Sequence, residues 1–165
     1  MKHFLVIMLT FAAIKTYAGQ NYVAVEVYDQ IRRIRPDMNE NYRLQLSIEI
    51  KKACIKHKLD CQVFTAILAQ ESMFKTSAVN EKTQDYGIGQ VNRKTASAMG
   101  FCETKLVTNR QYSIDAAAQV LAYFQRRYGA KESLWFCRFN IGTRNLDLRL
   151  GKTCSEYAQK VLRYF

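Results

Sequence analysis

Apolar residues return at helical intervals along most of this chain. Val23, Val27, Ile31 and Ile34 fall on one face, which predicts a short helix that Pro36 brings to an end. The stretch from Tyr42 to Ile50 can be read two ways. Apolar and polar residues alternate there, a strand signal, yet Tyr42, Leu46, Ile50, Ala53 and Cys54 also form one helical stripe. The Lys51-Lys52 and Lys56-His57-Lys58 ending suits the negative end of a helix dipole and favours the helix. Asp60 is placed as the N-cap of the next helix, predicted to run to Phe74. From Lys75 to Asn92 the chain is polar and turn-forming, with Gly87 and Gly89 two apart. Ser113 then reads as the cap of a helix whose stripe is Ile114, Ala118, Leu121, Phe124 and Tyr128, with Arg126 and Arg127 in its last turn and Gly129 beyond. Leu134 to Phe139 and Glu156 to Phe165 give two further helices, the last turning Tyr157, Ala158, Val161 and Phe165 one way. The predicted class is α+β, predominantly α, with a small loop- and β-rich insert between helices.

Composition narrows this without changing it. A chain that is 48% hydrophobic can fill a core, which excludes disorder, and a single Pro with seven Gly excludes a low-complexity linker. No apolar run reaches the roughly 18 residues of a membrane span. Lys2 and His3 precede the apolar run Phe4 to Ile14, and Ala18 offers a small residue for cleavage. Residues 1–18 therefore read as a secretory signal, 19–40 as a lead and 41–165 as the main domain, which places the protein in the periplasm or outside the cell. Export fits the five cysteines, Cys54, Cys61, Cys102, Cys137 and Cys154, since an oxidising compartment permits disulfides. Spacing leaves their pairing open. The expected bridges, each closing a short turn, are Cys54–Cys61 and Cys137–Cys154, with Cys102 spare.

The net charge of +11 invites a polyanion. Two histidines, His3 in the signal and His57 among lysines, give no basis for a metal site or a nucleophilic triad, and no cofactor is expected. Nucleotide binding lacks a phosphate-loop pattern, and a nucleic-acid partner would rest on charge alone. Glu71 is the residue that draws chemistry. Phe64, Ile67, Leu68 and Phe74 stand at same-face separations from it, so its carboxyl emerges from the apolar side of a helix. Desolvation there would penalise the ionised form and keep the acid protonated, as a general acid requires, while the same spacing also allows a Glu at the exposed end of the helix whose side chain reaches water. Asp85, in the polar insert, could bring a second carboxylate to the same bond.

In order along the chain, Ala69-Gln70-Glu71-Ser72-Met73-Phe74, Gly87-Ile88-Gly89-Gln90, Ala98-Met99-Gly100, Tyr112-Ser113-Ile114-Asp115-Ala116-Ala117, Phe139-Asn140-Ile141-Gly142 and Tyr157-Ala158-Gln159-Lys160-Val161 resemble the successive motifs of the lytic transglycosylases (SLT type) of the lysozyme-like superfamily. The resemblance covers roughly residues 41–165. It implies a lysozyme-like fold, peptidoglycan as substrate, and Glu71 as the single acid/base. Ser72, Asp85, Gln90, Asn140 and Tyr157 would line or adjoin the substrate groove. The small exported enzymes of conjugation and secretion systems are the most similar branch, so a secretion, conjugation or phage apparatus is an implied partner, with the protein a monomer. Two departures stand out: Gly89 replaces a Met expected to pack on the sugar, and Phe139 replaces a Tyr, removing a hydroxyl near the acid. Thr83 to Asn92 also resembles the segment that carries the second carboxylate of c-type lysozymes. That keeps a retaining muramidase using Glu71 and Asp85 as the alternative, beside a catalytically weak wall-binding component.

Overall fold

The structure, a computed structural model, describes residues 24–142 and 148–165. The expected signal segment lies outside them. Helix α1 occupies 24–34 and stops at Arg35-Pro36. It is followed by α2 (Glu40–His57), α3 (Cys61–Ser72), the short strands β1 (Val79–Asn80), β2 (Asp85–Tyr86) and β3 (Val91–Asn92), then α4 (Arg93–Met99), α5 (Glu103–Thr108) and α6 (Arg110–Tyr128). A 3₁₀ turn at Trp135–Cys137 leads into α7 (Arg138–Ile141), and α8 spans Leu148–Leu162. The fold is thus predominantly α with one small antiparallel sheet, as the sequence pattern predicts.

The ambiguous stretch after Asn39 is helical because both ends are sealed. Asn39 accepts from the Tyr42 amide, while Lys58 adopts a left-handed φ of 56° and its amide closes on Cys54 and Ile55 carbonyls. Asp60 caps α3 as expected, accepting from the amides of Gln62 and Val63. The cap of α6 differs from the expectation. Asn109, not Ser113, accepts the first amide, at Tyr112, so the helix begins a turn earlier. Ser113 is fully buried inside it and accepts instead from the Ile88 amide at 3.0 Å. Its hydroxyl is committed to the insert.

The core is formed where α2, α3, α6 and α8 meet, with Leu46, Ile50, Phe64, Ile67, Leu68, Ile114, Leu121 and Val161 fully enclosed. Burial of such side chains is worth roughly 1.5–3 kcal/mol each. The lead joins this core: Val27 and Ile31 are buried, and the Gln30 amide donates to the carbonyls of Gln62 and Tyr164. At the far end Cys137 and Cys154 form a disulfide that ties the 3₁₀ turn to α8. The expected Cys54–Cys61 bridge is absent. Both are free thiols, one at each side of the α2–α3 corner. Cys102 is free and exposed.

Candidate active site

The C-terminus of α3 dictates the position of Glu71. The helix stops at Ser72 rather than Phe74 because Met73 and Phe74 both turn left-handed, at φ 52° and 65°. Phe74 is driven into the core, 2% exposed, and Arg35 braces the turn by donating to the Met73 carbonyl at 3.1 Å. Of the five non-glycine residues with positive φ among those described, four (Met73, Phe74, Gln84 and Gln90) flank Glu71 or Asp85 or belong to the insert. Such conformations each cost on the order of 1–3 kcal/mol and persist where surrounding structure imposes them.

The insert packs against this end. Strand β2 pairs with both neighbours, Asp85 opposite Asn80 on one side and Asn92 on the other. Asp85 is gripped at both oxygens: Thr83 Oγ1 donates to Oδ2 at 2.5 Å and Asn92 Nδ2 to Oδ1 at 2.8 Å. The same Asn92 amide reaches the Thr83 carbonyl, and its oxygen caps α4. Ser72 faces the insert as well, donating to the Ile88 carbonyl at 2.7 Å and accepting from the Lys75 amide, so its hydroxyl fastens α3 to the sheet region. Gln90 is likewise engaged, with Ala78 and Gly87 carbonyls, although it borders the cleft. Gly89 corrects the sequence reading. A Cβ there would run into the Ala117 methyl on α6, so this position points into the core and not toward a sugar.

Between the insert and α6–α7 lies a cleft of about 710 Å³, with Glu71, Asp85, Gln90, Phe139 and Asn140 on its walls. Burial pushes the Glu71 carboxyl up to about 7, and the negative charge of Asp85 adds to that, against a hydrogen bond that favours the carboxylate. That bond comes from α8: Tyr157 Oη donates to Oε1 at 2.6 Å. Tyr157 is 6% exposed, and burial together with the adjoining Glu71 charge pushes its own phenol well above the usual range. A tyrosine hydroxyl therefore does meet the acid, although Phe139 lacks one. Replacing Tyr157 with Phe removes an interaction that lowers the Glu71 pKa. The alkaline limb of the activity profile is then expected at higher pH, with kcat down about 10-fold from lost orientation, both read from a pH–rate series.

The structure thus brings together Glu71, Asp85, Gln90, Asn140 and Tyr157, and sets Ser72 behind them as a fastener. Sequence reasoning overlooked Thr83 and Asn92, which hold Asp85, and Val120 and Phe124, which give the cleft an apolar wall. Asn92 had a signal in its place just ahead of a helix; Val120 and Phe124 had none, since a helix stripe does not say which residues leave the core at its edge. Among the described residues no three His, Cys, Asp or Glu are grouped to hold a metal ion, and no helix is long and apolar enough to cross a membrane.

The model of the Transglycosylase SLT domain matches residues 48–161, which includes every wall of this cleft. This chain belongs to the transglycosylase SLT family. SLT domains are lysozyme-like, and the family is one of lytic transglycosylases that cleave peptidoglycan. The SLT chain is also similar to a tRNA dimethylallyltransferase from Pelagibacter ubique (strain HTCC1062), 20% identical over 124 residues. That match covers 74% of this chain but only 37% of the other protein. At such identity it assigns no activity.

Proposed function

We propose that this SLT-family protein is an exported lytic transglycosylase that cleaves the β-1,4 bond between N-acetylmuramic acid and N-acetylglucosamine, leaving 1,6-anhydromuramoyl ends. Glu71 acts alone as acid and then base. It first gives its proton to the glycosidic oxygen as the bond to the anomeric carbon breaks. It then takes the proton of the muramoyl 6-hydroxyl as that oxygen closes on the same carbon, so no water is consumed and the acid is regenerated. The observation that carries this reading is a carboxyl in a cleft wall whose proton is retained to about pH 7 and whose oxygen is fixed by Tyr157. The basic surface suits a wall polymer rich in carboxylates, through attraction that salt screens.

Asp85 supports a second reading, a retaining muramidase, because it shares the cleft and its charge acts on Glu71. Each of its two oxygens accepts one hydrogen bond, from Thr83 and from Asn92, which orients the carboxylate and leaves a lone pair on each oxygen, so this geometry does not separate the two readings. Purified sacculi digested with the protein, followed by mass analysis of the muropeptides, separate the readings. Anhydro ends are expected; ends heavier by one water would indicate the muramidase. Asp85→Asn should keep activity within about 10-fold as a transglycosylase but lose about 10³-fold or more if Asp85 is the nucleophile. Its alkaline limb should move to lower pH, since a charge that raises the Glu71 pKa is gone.

A further inference from the structure

Two thiols outside the cleft have a geometry that the glycan chemistry does not use. Cys54 lies in the last turn of α2, 1% exposed, and Cys61 is the first residue of α3, partly exposed. The turn between them is tight. Lys58 is left-handed, and the Leu59 amide donates to the Cys54 carbonyl itself at 2.9 Å, so the chain doubles back at the residue that carries the buried thiol. The two cysteines thus stand on either side of one turn, near enough for each to shift the other's titration.

We infer that Cys54 and Cys61 are a thiol–disulfide exchange site, with Cys61 the attacking and Cys54 the resolving sulfur, which accepts oxidising equivalents from a disulfide co-substrate. The roles follow from where each sulfur sits. Cys61 is the partly exposed member, at the start of a 12-residue helix whose first turn holds no acidic residue, where the helix dipole favours a thiolate. The neighbouring Cys54 thiol and the nearby charge of Lys51, itself 6% exposed, hold it below the usual thiol range, although burial, Asp60 and Glu26 oppose them. The neighbouring Cys61, with burial, holds Cys54 above that range and keeps its proton in reserve.

The exchange balances in two steps. Cys61 thiolate attacks one sulfur of the co-substrate RSSR; that S–S bond breaks and RS⁻ leaves, which takes up the proton Cys61 had released. Cys54 then loses its proton, attacks the Cys61 sulfur of the mixed disulfide, and a second RS⁻ leaves and is protonated. The protein dithiol is oxidised by two electrons and RSSR is reduced to two RSH. The product staples the end of α2 to the start of α3, the helix that bears Glu71 at its other end.

The test uses the full chain with Cys137–Cys154 intact and oxidised glutathione as the probe, followed by alkylation, trypsin and mass analysis. Trypsin cuts after Lys56 and Lys58, so the pieces carrying Cys54 and Cys61 stay joined only through a disulfide. A joined pair is expected, together with a Tm higher by on the order of 5 °C than that of the protein kept reduced at these two positions. Cys54→Ser should stop the reaction at a glutathione adduct on Cys61, whereas Cys61→Ser should leave Cys54 unmodified in the folded protein. Recovery of both cysteines as alkylated thiols from the parent chain, or an adduct on Cys54 in Cys61→Ser, overturns the assignment. The first of these readouts needs no variant to fold.

Discussion

Glu71→Gln is expected to lower turnover of sacculi by at least about 10³-fold while making the folded protein more stable at pH 8 and no more stable at pH 4. Gln cannot give a proton to the glycosidic oxygen, yet it still accepts from Tyr157, so the wall of the cleft stays in place. The stability effect follows from the raised carboxyl. In the folded chain Glu71 keeps its proton up to about 7, whereas in the unfolded chain it releases it near the ordinary value of 4.5. The stability Glu71 permits is therefore full below about 4.5, falls as pH rises through the interval to about 7, and stays low above it. A neutral Gln avoids that loss, which amounts to about 3 kcal/mol at pH 8. Thermal unfolding at the two pH values, beside muropeptide release, measures both halves. Turnover within 10-fold of the parent would remove Glu71 from its role, and a stability gain equal at both pH values would remove the buried-acid explanation. The pairing of lost activity with gained stability is what a carboxyl held against its solvation preference should give.

How far the site could be read in the sequence depended on the kind of interaction that made it. Local rules served well for Asp60, whose side chain caps the helix that follows it by a contact two and three residues away. Glu71 was only partly legible in its apolar neighbours at helical spacing, which also allow a carboxyl reaching water at the helix end; the resemblance to known motifs decided between the two. Ser113 was misplaced because Ser before an apolar stripe looks like a cap, whereas its real partner, the Ile88 amide, is 25 residues earlier. Tyr157 reaches Glu71 across 86 residues, and only resemblance to known motifs put them near each other. The Cys54–Cys61 bridge was an expectation from spacing. Spacing brought the right sulfurs together but could not fix their oxidation state, which depends on the surroundings and not on the turn.

Gly89 shows the opposite failure, a position whose motif suggested one environment and whose packing imposes another. Its φ is not in the left-handed region, so the backbone would accept any residue; only space forbids one. The obstacle is the Ala117 methyl, fixed to the α6 backbone and unable to rotate aside, with a Leu68 methyl at 3.5 Å behind it. Gly89→Met, which restores the side chain the motif leads one to expect, should therefore cost about 3 kcal/mol or more by overpacking and lower Tm by roughly 10 °C, with no gain in affinity for glycan. Thermal unfolding and sacculus binding test it: an unchanged Tm with tighter binding would mean that position 89 faces the sugar after all. A double-mutant cycle makes the contact specific. Gly89→Ala alone and Ala117→Gly alone should each destabilise, the first by collision and the second by about 1 kcal/mol of lost helix propensity. Combined, they should cost clearly less than the sum of the two, because the methyl removed at 117 is the one that the methyl added at 89 would strike. Strict additivity would mean that the two positions do not touch, and the close approach of the insert to α6 would then need another explanation.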